Sequence, residues 1–145
     1  MSMNNKIYEI INPDLAESSV KLHEALFHNA NGYIGIRYDF EEGYPPEYNI
    51  TLSQYINGVY DFMDMKQPES LYGLVREKQI IVNVANTQPI RLYVEGEQFS
   101  LYEGTVLESG LSLNMSKGTT VRTVKWRSPK GREISIRITR MASYH

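Results

Sequence analysis

The sequence predicts an all-β fold, an antiparallel sandwich with at most one short helix. Three observations carry this reading. Apolar and polar residues alternate with period two in several runs, turn residues recur between them, and two pairs of runs are joined by tight turns that bring their apolar sets into register. Spaced strands of this kind point to packed or closed antiparallel sheets and not to alternating βα units. The 145 residues have the length of one ordinary domain. With no linker, internal repeat or low-complexity tract, residues 1–145 read as a single domain.

The first element is the one expected helix, Pro13 to Phe27, with Asn12 as cap, proline at the first helical position and Leu15, Val20, Leu22 and Leu26 as its apolar set. Asn31-Gly32 then reads as a tight turn into a strand over Tyr33–Tyr38. Gly35 inside that strand marks a bulge, or a place where another backbone or a ligand comes close. The acidic, proline-containing stretch Glu41–Glu47 is a loop, followed by a strand from Leu52 to Tyr60 broken at Asn57-Gly58 and a β-branched strand over Gln79–Val84. A hairpin follows. Ile90–Val94 and Glu97–Leu101 flank the two-residue turn Glu95-Gly96, which pairs Leu92 with Phe99 and Ile90 with Leu101. Thr105–Leu107 and Leu111–Met115 read as two shorter strands around Ser109-Gly110, and Lys117-Gly118 turns the chain into the last hairpin. There Arg122, Val124 and Trp126 alternate with polar residues, as do Ile134, Ile136 and Ile138. Ser128-Pro129-Lys130-Gly131 supports a three-residue loop with a glycine bulge, which sets Trp126 opposite Ile134 and Val124 opposite Ile136. A loop one residue shorter or longer would put the apolar sets out of match.

Composition narrows the function. Net charge is −2 with basic residues scattered, so nothing favours nucleic acid or an anionic membrane. The absence of cysteine removes disulfides, thiolate catalysis and cysteine-ligated zinc, and suits a reducing compartment, the cytoplasm. No apolar run approaches a membrane span, and the first thirty residues lack a signal-peptide core. Eleven tyrosines against one tryptophan and four phenylalanines suit strands and polar ligand surfaces alike.

Catalytic constellations are hard to find. Glu41-Glu42 is an adjacent acid pair, but neighbours on an extended chain point to opposite sides and cannot face one bond or one metal. Asp39, Asp61 and Asp64 read as solvated loop carboxylates. His23 and His28 are at no common metal spacing and His145 is terminal, so no metal and no cofactor are expected. There is no Gly-x-Ser-x-Gly elbow, phosphate loop or dinucleotide fingerprint. By its residues alone the chain is a binding or structural β domain.

Four stretches taken in order carry a resemblance: "HEALFHNANGYIGIRYDFEE", "YINGVYD", "PIRLYVEGEQFSLYEG" and "LNMSKGTTVRTVKWRSPKGREISIRITRMAS". Together they resemble the N-terminal domain of glycoside hydrolase family 65, the maltose, trehalose and kojibiose phosphorylases. The chain departs from the family pattern at Ala30 and Tyr38, where the family usually has glycine. The resemblance implies part of a galactose-mutarotase-like super-sandwich, with Gly35 permitting close packing of an inner strand. It also implies an active site in a following (α/α)6 barrel, whose glutamic acid protonates the glycosidic oxygen while phosphate or water attacks the anomeric carbon. This chain is then the non-catalytic N-terminal domain of a longer enzyme acting on α-glucosidic disaccharides, inactive alone, with the catalytic barrel as its partner. Unpaired strand edges would allow a homo-oligomer. The residues placed to touch an α-linked disaccharide are Arg37, Glu42, Tyr44, Asn57, Tyr60 and Asp61, a mixture of aromatic, amide and charged groups suited to sugar. The alternative is a free-standing carbohydrate-binding β-sandwich, and the disaccharide itself is not named by the sequence.

Overall fold

The computed structural model describes residues 8–12, 17–45, 48, 53–65, 72–73 and 75–143. The elements are β1 (Glu9–Ile11), α1 (Glu17–Leu26), β2 (Asn29–Ala30), β3 (Ile34–Ile36), β4 (Gln54–Asp64), β5 (Glu77–Asn83), β6 (Tyr93–Val94), β7 (Glu97–Gln98), β8 (Thr105–Asn114), β9 (Thr119–Arg127) and β10 (Glu133–Met141). One four-stranded sheet has the order β1-β8-β9-β10, a second the order β2-β3-β4-β5, and β6-β7 form a separate hairpin. Every pairing is antiparallel, as the alternating pattern predicts. The all-β class is therefore the observed one, with one helix among the described residues.

The last hairpin forms in the expected register, with Trp126 opposite Ile134 and Val124 opposite Ile136. Its loop closes through Gly131 N–H to Ser128 O at 2.8 Å and Ser128 N–H to Arg132 O at 2.7 Å, with Gly131 at φ +86°. That is the left-handed residue a bulged three-residue loop requires. In β9, Thr120, Arg122, Val124 and Trp126 all turn inward, an arginine among apolar neighbours. The β6-β7 hairpin also keeps its register, and Phe99 N–H reaches Leu92 O at 2.9 Å, but its ladder is two residue pairs long and leaves Ile90 61% exposed. Glu97 fixes it instead, accepting from Ser128 Oγ at 2.9 Å, Lys130 N–H at 3.1 Å and Arg132 at 2.7 Å. Burial alone would raise the Glu97 pKa, but these hydrogen bonds outweigh it and hold the carboxyl below its ordinary value.

Several elements differ from the sequence reading. β8 is one ten-residue strand and not two short ones, because Gly110 serves a close approach and no turn. A Cβ there would lie 2.7 Å from Oγ1 of Thr123, its partner on β9. β4 likewise runs through Asn57-Gly58, absorbing Gly58 at φ +90° as a register shift between Tyr55 and Tyr60, and continues to Asp64. The strand after the Asn31 turn is only Ile34–Ile36, and the turn's central residues are Gly32 and Tyr33. Gly32 carries the positive φ, while Asn31 Oδ1 accepts from the Tyr33 and Ile34 amides at 2.9 and 2.8 Å. Gly35 does not relieve close packing: among the described residues no heavy atom lies within 4 Å of a Cβ built on it.

α1 buries Val20, His23 and Glu24, and Phe27 just past its end, while Leu22 is half exposed. Of the expected apolar set, Val20 and Leu26 face the core and Leu22 does not, and the buried face also holds a charge, Glu24, paired at 3.0 Å with Arg37. Pro13, Leu15 and the expected helix start lie outside the described residues. The core has two parts. Val20, Phe27, Tyr38, Phe40, Leu111 and Leu113 join helix, first sheet and the segment after β3, and Phe99, Val124 and Trp126 lie under the two hairpins.

Candidate functional site

The chain after β3 leaves the sheet and crosses the first sheet's inner face, which brings its acids against two arginines. Phe40 to Gly43 is a turn, closed by Gly43 N–H to Phe40 O at 3.0 Å. Because Glu41 and Glu42 sit in that turn and not on an extended chain, they do not diverge. Both carboxylates reach Arg122, each through an oxygen 2.7 Å from Nη1, and Glu42 also engages Nη2. Arg140 from β10 donates to Glu41 from Nε at 2.7 Å, to Gln88 Oε1 at 2.5 Å and to the Asp39 carbonyl. The Arg122 guanidinium stands 4.1 Å over the Phe40 ring and that of Arg140 4.7 Å over Tyr38.

These charges are buried: the side chains of Arg122, Glu41 and Glu42 are 3%, 5% and 1% exposed. Burial acts to lower the Arg122 pKa, but Glu42's hydrogen bonds and charge more than reverse it, so the guanidinium stays charged. Burial raises the hydroxyls of Tyr38 and Tyr44 above the ordinary tyrosine value. Asp39 is buried and not a solvated loop acid; burial pushes its carboxyl up, against the opposing pull of Asn86, Tyr44 and Arg140. A carboxyl raised in the folded state contributes stability that is complete below its unfolded pKa and is lost as pH rises through the folded one. Asp39→Asn therefore melts above the wild type at about pH 7.5, and the difference closes as pH falls toward about 4. Melting curves across that range test this, and a constant offset would contradict it.

The six residues expected to meet sugar divide into two groups at opposite ends of the β3-β4 ladder. Arg37 pairs with Glu24, Glu42 is committed to Arg122, and Tyr44 stacks on Phe40 with centroids 4.9 Å apart while its hydroxyl accepts from Phe40 N–H at 3.1 Å. Arg37 N–H bonds Ser53 O at one end of the ladder, and Asn57 N–H bonds Tyr33 O at the other. Asn57, Tyr60 and Asp61 are exposed on β4. Tyr60's hydroxyl donates to Asn57 Oδ1 at 2.9 Å, and Asp61 accepts from Phe62 N–H at 2.8 Å.

Two concavities adjoin these groups. A cleft of about 430 Å³ beside the arginine network is lined by Ile36, Arg37, Tyr38, Gln88, Ile138 and Arg140 among others. Most of its polar groups are engaged with one another. A shallower groove of about 260 Å³ crosses the second sheet between Tyr33, Gly35, Tyr55 and Asn57. Among the described residues no three His, Asp or Glu side chains gather as metal ligands would, and no helix is long and apolar enough to cross a membrane. Sequence reasoning missed Arg122 and Arg140 as the partners of the acid pair. The available signal was the position of Arg122, an arginine where the β9 alternation calls for an apolar residue.

Two antiparallel sheets with an acid pair neutralised by buried arginines define an all-β domain whose most concentrated charges are engaged with one another. The chain belongs to glycosyl hydrolase family 65: the family's N-terminal domain matches residues 10–145. It is 43% identical over 122 residues to alpha,alpha-trehalose phosphorylase of Thermoanaerobacter brockii, covering 83% of this chain and 16% of that protein. The enzyme of the same name from Geobacillus stearothermophilus is 39% identical, with the same coverage of each chain. Kojibiose phosphorylase of Thermoanaerobacter brockii is 37% identical over 84% of this chain and 13% of its own. A solved structure described as that of a kojibiose phosphorylase from the human microbiome superposes with TM-score 0.76 at 25% identity, over 91% of this chain and 17% of that one. The chain thus spans about a sixth of the relatives' length.

Proposed function

We propose that residues 1–145 form the non-catalytic N-terminal β-sandwich domain of a cytoplasmic family 65 enzyme acting on α-glucosidic disaccharides. Its role is to support the catalytic (α/α)6 barrel. The observation that carries this is the outer half of β4. Tyr60–Asp64 pair with Glu77–Ile81 and, among the described residues, with no other strand. Phe62 and Met63 are neighbours on that ribbon and so face opposite sides, yet they are 67% and 47% exposed. A two-stranded ribbon bare on both apolar faces is marginal in water and calls for a covering partner. The barrel is the partner we assign, and the relatives' greater length favours this over a free-standing module.

Of the six residues expected to meet sugar, Asn57 keeps that role in this reading with Tyr60 holding its amide in place, while Arg37, Glu42, Tyr44 and Asp61 brace the domain. β10 ends its sheet among the described residues, and that edge allows two copies to associate. Assay of the isolated chain with trehalose, kojibiose or maltose and phosphate is expected to show no phosphorolysis. Phe62→Asp in the full-length parent enzyme is expected to lower its thermal stability. Phosphorolysis by the isolated chain would overturn the non-catalytic reading, and a concentration-independent monomer mass by light scattering would remove the association.

A further inference from the structure

We propose that the groove over Gly35 is a binding site for one pyranose ring of a neutral sugar. This rests on the sugar-contact part of the reading above and names the residues that would form the site. Glycine inside a strand weakens it, so its presence needs a reason. Neither usual reason applies at Gly35. Its φ is not left-handed, and no described heavy atom lies within 4 Å of where a Cβ would be. What the missing side chain does is leave open space over the ladder.

The surroundings of that space are specific. Tyr55 is the cross-strand partner of Gly35 on β4, and two pairs along, on the same face, Asn57 N–H bonds Tyr33 O at 2.7 Å. Tyr33, Tyr55 and Asn57 line the groove together with Gly35 and Ile81. Two tyrosines beside a bare backbone supply apolar surface for the C–H side of a pyranose ring, and the Asn57 amide offers a polar group at its rim. Asn57 is held in place: its Nδ2 donates to Gly32 O at 3.3 Å and its Oδ1 accepts from Tyr60. Tyr60 is thus a positioning residue. Among the described residues no charged side chain lines the groove, which disfavours phosphorylated or acidic ligands. Its volume of about 260 Å³ is slightly below the usual range for drug-sized ligands, about 300–1,000 Å³, and suits a single ring.

The test is a ¹H–¹⁵N titration of the 145-residue chain with glucose, glucuronate and glycerol. Glucose is expected to give saturable, millimolar shifts confined to Ala30–Gly35, Tyr55–Asn57 and Ile81. Glucuronate binds no more tightly, and glycerol, lacking a ring face, gives no such shifts. Tyr55→Ala weakens glucose binding roughly fivefold. Gly35→Val fills the groove and abolishes binding while leaving the melting temperature unchanged or raised, since the site has room for the side chain and the strand favours a β-branched residue. The proposal is overturned if glucose shifts are absent, survive Gly35→Val or are reproduced by glycerol. It is equally overturned if the same residues shift with protein concentration alone, which would assign the groove to a second copy. Because binding is read on the isolated chain and catalysis on the parent enzyme, failure here leaves the supporting role standing.

Discussion

Arg122→Met destabilises the domain by about 4 kcal/mol and lowers its melting temperature by roughly 10–15 °C. The side chain is 3% exposed, and it neutralises two carboxylates that are themselves buried. Methionine fills much of the space but leaves Glu42 without its guanidinium and Glu41 with Arg140 alone. An uncompensated buried charge is what makes this substitution costly, more than any attraction lost. The triple variant Arg122→Met, Glu41→Gln, Glu42→Gln should therefore recover most of the loss, because it removes the stranded charges as well. Arg122→Lys falls between, since a single ammonium cannot reproduce a fork that meets Glu41 and Glu42 together. The single tryptophan, Trp126, is fully buried on the same strand, so its fluorescence reports the unfolding directly. A loss below about 1 kcal/mol for Arg122→Met would mean that these ions behave as solvated surface charges.

The same network shows where the sequence could be read and where it could not. Strands whose apolar residues alternate, β9 and β10 above all, were legible down to the residue pair, because a one-residue slip would turn every side chain to the wrong face. Glycines were ambiguous. Gly110, read as a turn, lies against Thr123 across the ladder, and Gly35, read as a bulge or close approach, lies under open space. That difference is set by the neighbouring strand and is not encoded locally. The acid pair was misread for a related reason. Adjacent glutamates diverge on an extended chain but converge in the Phe40–Gly43 turn, and the arginines they meet lie about eighty and a hundred residues further on. The family was legible from four quoted stretches, and the family match over residues 10–145 bears it out. Most of those stretches are core strands and turns, whose residues are constrained by packing. The six candidates for sugar contact were chosen within the family resemblance by residue type, and the structure places Glu42 in the buried ion cluster, Tyr44 stacked on Phe40, Arg37 on Glu24, and Asn57, Tyr60 and Asp61 on an exposed strand.

Trp126→Ala should cost about 4 kcal/mol, within the range for emptying a buried aromatic position. Its ring is fully buried, meets Phe99 edge-on at 5.4 Å, and belongs with Phe99 and Val124 to a cluster against which Leu101, Val106, Ile134 and Ile136 pack. Its Nε1 donates to Glu103 O at 2.6 Å, which ties the start of β8 to β9. Collapse into the resulting cavity is restricted because the site is walled by backbone: Gly104 passes so close that a Cβ there would lie 3.0 Å from Nε1 and clash with the Arg127 carbonyl. Trp126→Phe separates the contributions. It keeps much of the apolar contact and loses the hydrogen bond, for an expected cost of about 2 kcal/mol. Thermal melts followed by far-UV circular dichroism give both values, since tryptophan fluorescence is lost with the residue. Equal losses for the two variants would place the stabilisation in the Glu103 bond and not in the packing. A loss below about 1 kcal/mol for alanine would show that the two hairpins close over the cavity, and that this second part of the core does not depend on the ring.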